Sequence, residues 1–176
     1  MIKKRYDAIN IIVTKKVQTN IKWDLFLETF MPLAITLIFF TALYASFTDA
    51  KSRVISNHTV VFAFLCCFIF AFLNGYLLHS LLIATLCFAF SFILWLLGFW
   101  GGGDAKYFPV MMVGVKPDYA IEAICYIGLF GGITVIGVYV YCLIAKKEIK
   151  KIGIPYGIPI SASCCLFMLL SLLVLR

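Results

Sequence analysis

A chain of 176 residues that is 64% hydrophobic, with a mean hydropathy of +1.05, falls outside the range of soluble globular proteins. Its 15 Lys and Arg exceed its 8 Asp and Glu to give a formal charge of +7, and most of that excess flanks apolar runs. This pattern excludes a sizeable soluble domain. It also argues against a nucleic-acid surface, because the basic clusters are short and no folded basic face accompanies them.

Residues 1–29 read as a basic N-terminal extension and residues 30–176 as a membrane-embedded domain. Ile9, Ile12, Val13 and Val17 form a helical stripe among lysines, which suits an amphipathic helix lying on the membrane surface. Alternatively, translation starts at Met31 and the extension is dispensable. The segment lacks the apolar core and small-residue cleavage site of a signal peptide.

Uncharged stretches then run over 29–48, 54–103, 123–145 and 152–175. Since roughly 20 apolar residues cross a hydrocarbon core, the second stretch holds two spans with a turn at Asn74-Gly75. The fold expected is an all-α polytopic membrane helix bundle of six spans, over 30–48, 58–73, 77–97, 105–115, 120–145 and 156–175. The fourth differs from the rest. Tyr107 to Val115 carries Pro109 and, at ~1.5 Å per residue, is too short to cross alone. It is either a short helix with Asp104 and Lys106 in its first turn, or a re-entrant segment lined by protein or water. In the fifth span, Gly128 and Gly132 make a GxxxG step, expected as a helix-packing face.

Two crossings separate Asp49 from Asp104, so both acids emerge on one side of the membrane. Lys51, Arg53, Lys106 and the Lys146–Lys151 cluster share that side, which makes it cytoplasmic by charge. The six basic residues of 1–28 would then lie outside, against the same rule. Seven cysteines (66, 67, 87, 125, 142, 164 and 165) fall in apolar runs without Cys-x-x-Cys spacing and are expected as small buried thiols. With only His58 and His79 to join them, no metal or cofactor site is expected.

An acid within an apolar run is costly, about 2.5–3.5 kcal/mol at a span's centre, and is read first as functional. Asp104 follows Gly101-Gly102-Gly103, where glycine lets a second backbone approach closely. Asp104 could instead cap the next helix, and Asp49 alone could be a solvated acid after its helix. Together they can act as a proton-sharing pair. Like charges a few ångströms apart cannot both ionise, so one carboxylate takes a proton from water while the other group donates to a carbonyl oxygen.

Gly101-Gly102-Gly103-Asp104-Ala105-Lys106 resembles the GxGDxK signature of type IV prepilin peptidases, which are GxGD intramembrane aspartyl proteases. The segment Asp49 to Asn57 resembles the stretch around that family's first aspartate, which ends Ile-Pro-Asn; here Ser56 replaces the proline. Pro155-Tyr156-Gly157-Ile158-Pro159 is similar to a third segment, Pro-Phe/Tyr-Gly-Pro, with Ile158 at its fourth position. The three occur in the family's order and cover nearly all of residues 31–176. The resemblance implies Asp49 and Asp104 as the catalytic pair, with Gly101, Gly103, Lys106, Asn57, Pro155 and Gly157 as supporting motif residues. It implies a multi-pass protein of the bacterial inner membrane, residues 30–176 forming the peptidase domain, that cuts prepilin or pseudopilin leaders on the cytoplasmic side without a cofactor. Larger members, which also N-methylate the pilin, carry an extra cytoplasmic domain with a Cys-x-x-Cys pair. This chain has neither that length nor those cysteines, and resembles the short form serving Flp-type (tight adherence) pili, so methylation is not expected. On a helix Lys106 points almost opposite Asp104, so it is expected to snorkel to the interface or to meet an acidic residue of the substrate. Two other classes accommodate paired acids: a proton- or ion-coupled transporter, and a non-catalytic subunit of a pilus or secretion machine.

Overall fold

The computed structural model describes residues 29–145 and 153–174, so the expectations for the N-terminal extension and the Lys146–Lys151 cluster lie outside the described residues. The chain divides into Met1–Leu33 and Ala34–Arg176. The described residues form six α-helices: α1 (Thr29–Ser52), α2 (Asn57–Leu73), α3 (Leu77–Leu96), α4 (Gly102–Gly114), α5 (Ala120–Ala145) and α6 (Gly157–Val174), with a 3-10 turn at Pro117–Tyr119 leading into α5. Four segments (Thr29–Ser52, Leu77–Leu96, Pro117–Ala145 and Gly157–Val174) are long and apolar enough to cross a bilayer, and α2 is a shorter apolar helix. This is a polytopic helical membrane bundle.

Helix α3 is apolar outside and small or polar inside. On α3, Leu78, Leu82 and Leu86 are exposed, whereas Ser80, Ala84, Cys87 and Ser91 are buried. Lipid tails are as apolar as leucine, so helices associate through close backbone approach and hydrogen bonds rather than through a hydrophobic face. The buried stripe Ala34, Ile38, Ala42, Ala45 and Asp49 on α1 is mostly small, and it advances by three or four residues so that its buried side ends on an acid. Asp49 thus lies inside α1, not beyond its end.

Helix α4 is the core of the bundle. It is a short helix starting at Gly102, buried over most of its length, and packed on α2, α3 and α6. Its 13 residues reach about 20 Å, short of the ~30 Å hydrocarbon thickness. Both of its irregularities are met by α3. Pro109 has no N–H to offer the carbonyl of Ala105, and the Ser91 hydroxyl lies 2.9 Å from that oxygen instead. At the C-terminus, Tyr76 donates to the Gly114 carbonyl (2.8 Å) and Ser80 to that of Val115 (3.1 Å). A helix ending within a packed bundle needs such donors. Tyr107 pairs with Ser161 of α6 (2.9 Å), and Ser161 reaches the Ala42 carbonyl of α1 (3.3 Å), which joins three helices in one buried network.

Two expectations are corrected. Gly128 and Gly132 are exposed, and added Cβ atoms there would meet nothing within 4 Å, so the GxxxG step packs on no described part of this chain. Helix α5 meets α6 through Ala123 and Ile127 instead, with Ser163 donating to the Ala123 carbonyl at 2.7 Å. Cys125 is exposed, whereas the other six cysteines are buried; all seven are free thiols.

Candidate active site

Three chain segments far apart in sequence converge at one end of α4. The first is the end of α1 and the turn after it. Asp49 is 4% exposed and its Oδ2 accepts a hydrogen bond from the backbone N–H of Gly157, the first residue of α6, at 2.7 Å. The first N–H groups of a helix have no partner within it, so a carboxylate there satisfies one of them. Gly157 is close because it lacks a Cβ, which would stand 2.9 Å from Asp49 Oδ2. Ser46, one turn before Asp49, also approaches the Gly157 carbonyl (3.4 Å).

The second segment is the glycine turn. Gly101 is the N-cap of α4, and Asp104 is in the first helical turn, 8% exposed, so Asp104 does not itself cap the helix. Its carboxyl turns back on the Gly101 backbone, with Oδ2 3.2 Å from where a Gly101 Cβ would be. Its other oxygen, Oδ1, is buried without a hydrogen-bond partner among the described residues. Gly103 packs on Ile55, where a Cβ would lie 3.3 Å from the Ile55 backbone nitrogen. That contact joins the glycine motif to the segment following Asp49.

Asp49 and Asp104 line one cavity of about 670 Å³, together with Arg53, Trp100, Gly101 and Tyr156. Trp100 makes an edge contact with Phe108 (5.5 Å between centroids) and a tilted one with Tyr156 (5.6 Å), forming an aromatic wall. Two acidic side chains 55 residues apart in sequence, on different helices, thus share a cavity walled by aromatic rings.

The remaining motif residues support this arrangement from outside it. Ser56, standing where proline is usual, is the N-cap of α2 and accepts from the Thr59 N–H at 3.1 Å. Asn57 begins α2, and its Oδ1 accepts from Lys106 Nζ at 3.3 Å. Lys106 therefore bonds within the chain and joins α4 to α2, an arrangement that neither of its expected roles anticipated. Pro155 is buried just ahead of α6. His58 is exposed at the start of α2.

Against protein-family models, residues 35–172 match the type IV leader peptidase family. The chain belongs to that family. Searches of curated proteins and of solved structures gave no match. The leader peptidase match spans the described core, from the first turns of α1 to near the end of α6. Arg53, Trp100 and Tyr156 are among the cavity residues absent from the site expected by sequence. Each had a positional signal. Arg53 follows Asp49 by one helical turn, Trp100 directly precedes the three glycines, and Tyr156 lies within the third motif segment.

Proposed function

We propose that this leader peptidase is an aspartyl endopeptidase working at the membrane surface, with Asp49 and Asp104 activating a water molecule between them. The observation carrying this reading is the shared cavity of the two acids, reached from α1 and α4. One carboxylate takes a proton from water, and the hydroxide formed attacks the scissile carbonyl carbon. The other carboxylic acid protonates the carbonyl oxygen. Collapse of the tetrahedral intermediate passes a proton to the departing amine and restores the pair. Such a pair titrates as a unit. Its low-dielectric surroundings strengthen the coupling.

The substrate in this reading is a type IV, Flp-like prepilin or pseudopilin, cut on the cytoplasmic face of a bacterial inner membrane between its basic leader and its hydrophobic helix. The reaction is hydrolysis alone, without N-methylation of the product. The test is to express a tagged Flp-type prepilin with the wild-type chain, Asp49→Asn or Asp104→Asn. Both variants should accumulate at wild-type levels and leave the precursor uncut, and mass spectrometry of the wild-type product should show an unmethylated mature N-terminus. Normal processing by either variant would exclude the Asp pair.

A further inference from the structure

Arg53 is the one non-glycine residue with positive φ among the described residues, at 57°. It closes α1, its backbone N–H bonding to the Asp49 carbonyl at 3.0 Å. A left-handed residue just past a helix end is most often glycine, since a side chain is strained there. Such strain in a folded protein points to a role for the side chain that compels it. Here the side chain enters the cavity of Asp49 and Asp104, and its Nη1 is buried with no hydrogen-bond partner among the described residues. A buried guanidinium donor without an acceptor is costly. The same cavity is lined by Asp104, whose Oδ1 has no hydrogen-bond partner among the described residues, and among those residues no Arg53–carboxylate contact falls within salt-bridge distance.

We propose that Arg53 binds the substrate, its guanidinium donating to a main-chain carbonyl oxygen of the peptide segment beside the scissile bond. A neutral acceptor suits the position, because an acidic side chain there would face both Asp49 and Asp104. A main-chain carbonyl also makes the contact independent of the local side chains of the precursor. The contact forms on binding and persists through reaction, so it contributes to KM more than to kcat. This inference rests on the peptidase reading above.

The experiment uses the full chain in detergent with the same tagged prepilin and compares Arg53→Gly, Arg53→Met and Arg53→Lys with wild type, with Asp104→Asn as the inactive control. Glycine relieves the backbone strain, so Arg53→Gly should unfold at or above the wild-type temperature. Its kcat/KM should nevertheless fall about tenfold or more, mainly through KM, as for a lost charge-assisted hydrogen bond. Arg53→Met, which keeps the stem and removes the donors, should lose as much, and Arg53→Lys should recover part of the loss. Exchanging acidic residues near the precursor's cleavage site for their amides should leave the Arg53 dependence unchanged. If Arg53→Gly and Arg53→Met cleave within about twofold of wild type, or lose kcat alone, the inference is overturned while the peptidase reading stands. Abolition of the Arg53 dependence by the amide exchanges would overturn the carbonyl contact in favour of a side-chain one. Absence of cleavage by the wild type would overturn the peptidase reading itself.

Discussion

The Gly157 N–H donates to Asp49 Oδ2 at 2.7 Å across 108 residues of sequence, joining the first residue of α6 to the acid in the last turn of α1. It fixes one oxygen of a candidate catalytic carboxyl that lines the cavity. The bond needs the two backbones close, and glycine alone permits that approach, because a Cβ would also lie 3.1 Å from the Asp49 Cβ.

Gly157→Ala is therefore expected to displace the Asp49 carboxyl. Gly157 does not use a positive φ, so alanine meets no backbone penalty and the effect is one of contact alone. Cleavage of a prepilin should fall on the order of tenfold or more, the scale of a small displacement in a reacting geometry. Gly128→Ala, where the added methyl meets open space, should cleave at the wild-type rate. Initial rates of the two purified variants, with protein amounts matched, check the contrast.

The three consecutive glycines are not equivalent. A methyl at Gly103 would press on the Ile55 backbone, which cannot rotate away, and one at Gly101 would press on the carboxyl of Asp104. At Gly102 the nearest atom is Trp95 Nε1 at 3.5 Å, an ordinary contact. Gly101→Ala and Gly103→Ala should thus lose most activity. Gly102→Ala should stay within about twofold and gain about 0.4–1 kcal/mol of stability, since alanine has less unfolded-state entropy to lose. Thermal unfolding in detergent alongside the cleavage rate separates these outcomes. Equal losses at all three positions would contradict the packing.

The six helices were legible because bilayer thickness sets span length and charged residues mark the boundaries. An even number of helices, α2 and α3, lies between Asp49 and Asp104, and the two acids line one cavity. Helix α4 was harder. It is surrounded by protein on most of its circumference, so its sequence shows neither a lipid-facing stripe nor a length that declares a span. Arg53 was missed because its side-chain direction follows from one left-handed residue after α1, which periodicity does not encode. Gly128 and Gly132 misled for the opposite reason: spacing places two glycines on one face of α5 but does not say that a partner helix lies there.

Pro109 and Ser91 should be energetically coupled. The Ser91 hydroxyl, which also lies 3.0 Å from the Phe88 carbonyl, occupies the place of the helical N–H that Pro109 lacks. Removing it with Ser91→Ala exposes an unsatisfied carbonyl in the bundle core and should cost about 1 kcal/mol. In a Pro109→Ala background the restored N–H can bond Ala105, so the same Ser91→Ala change should cost less. A double-mutant cycle from unfolding temperatures or denaturant midpoints should give a coupling of at least about 0.5 kcal/mol. Strict additivity would mean that Ser91 does not serve that carbonyl.

Ser56 offers the mildest test, at the position where the family segment usually has proline. As the N-cap of α2 it holds the Thr59 N–H with its hydroxyl, which also lies 2.9 Å from the Thr59 hydroxyl. Its backbone φ of −68° is one that the proline ring adopts freely, and Ile55 before it is outside any helix, as a residue preceding proline prefers. Ser56→Ala should lose the cap and about 1 kcal/mol of stability. Ser56→Pro loses the same cap but stiffens the unfolded chain, a gain of about 0.4–1 kcal/mol that offsets much of the loss. Ser56→Pro should thus unfold closer to wild type than Ser56→Ala does, with cleavage unchanged in both because neither alters the contact between Ile55 and Gly103. Thermal melts of the three proteins in one detergent decide the order, and a Ser56→Pro variant less stable than Ser56→Ala would show that the turn between α1 and α2 is not free to accept the ring.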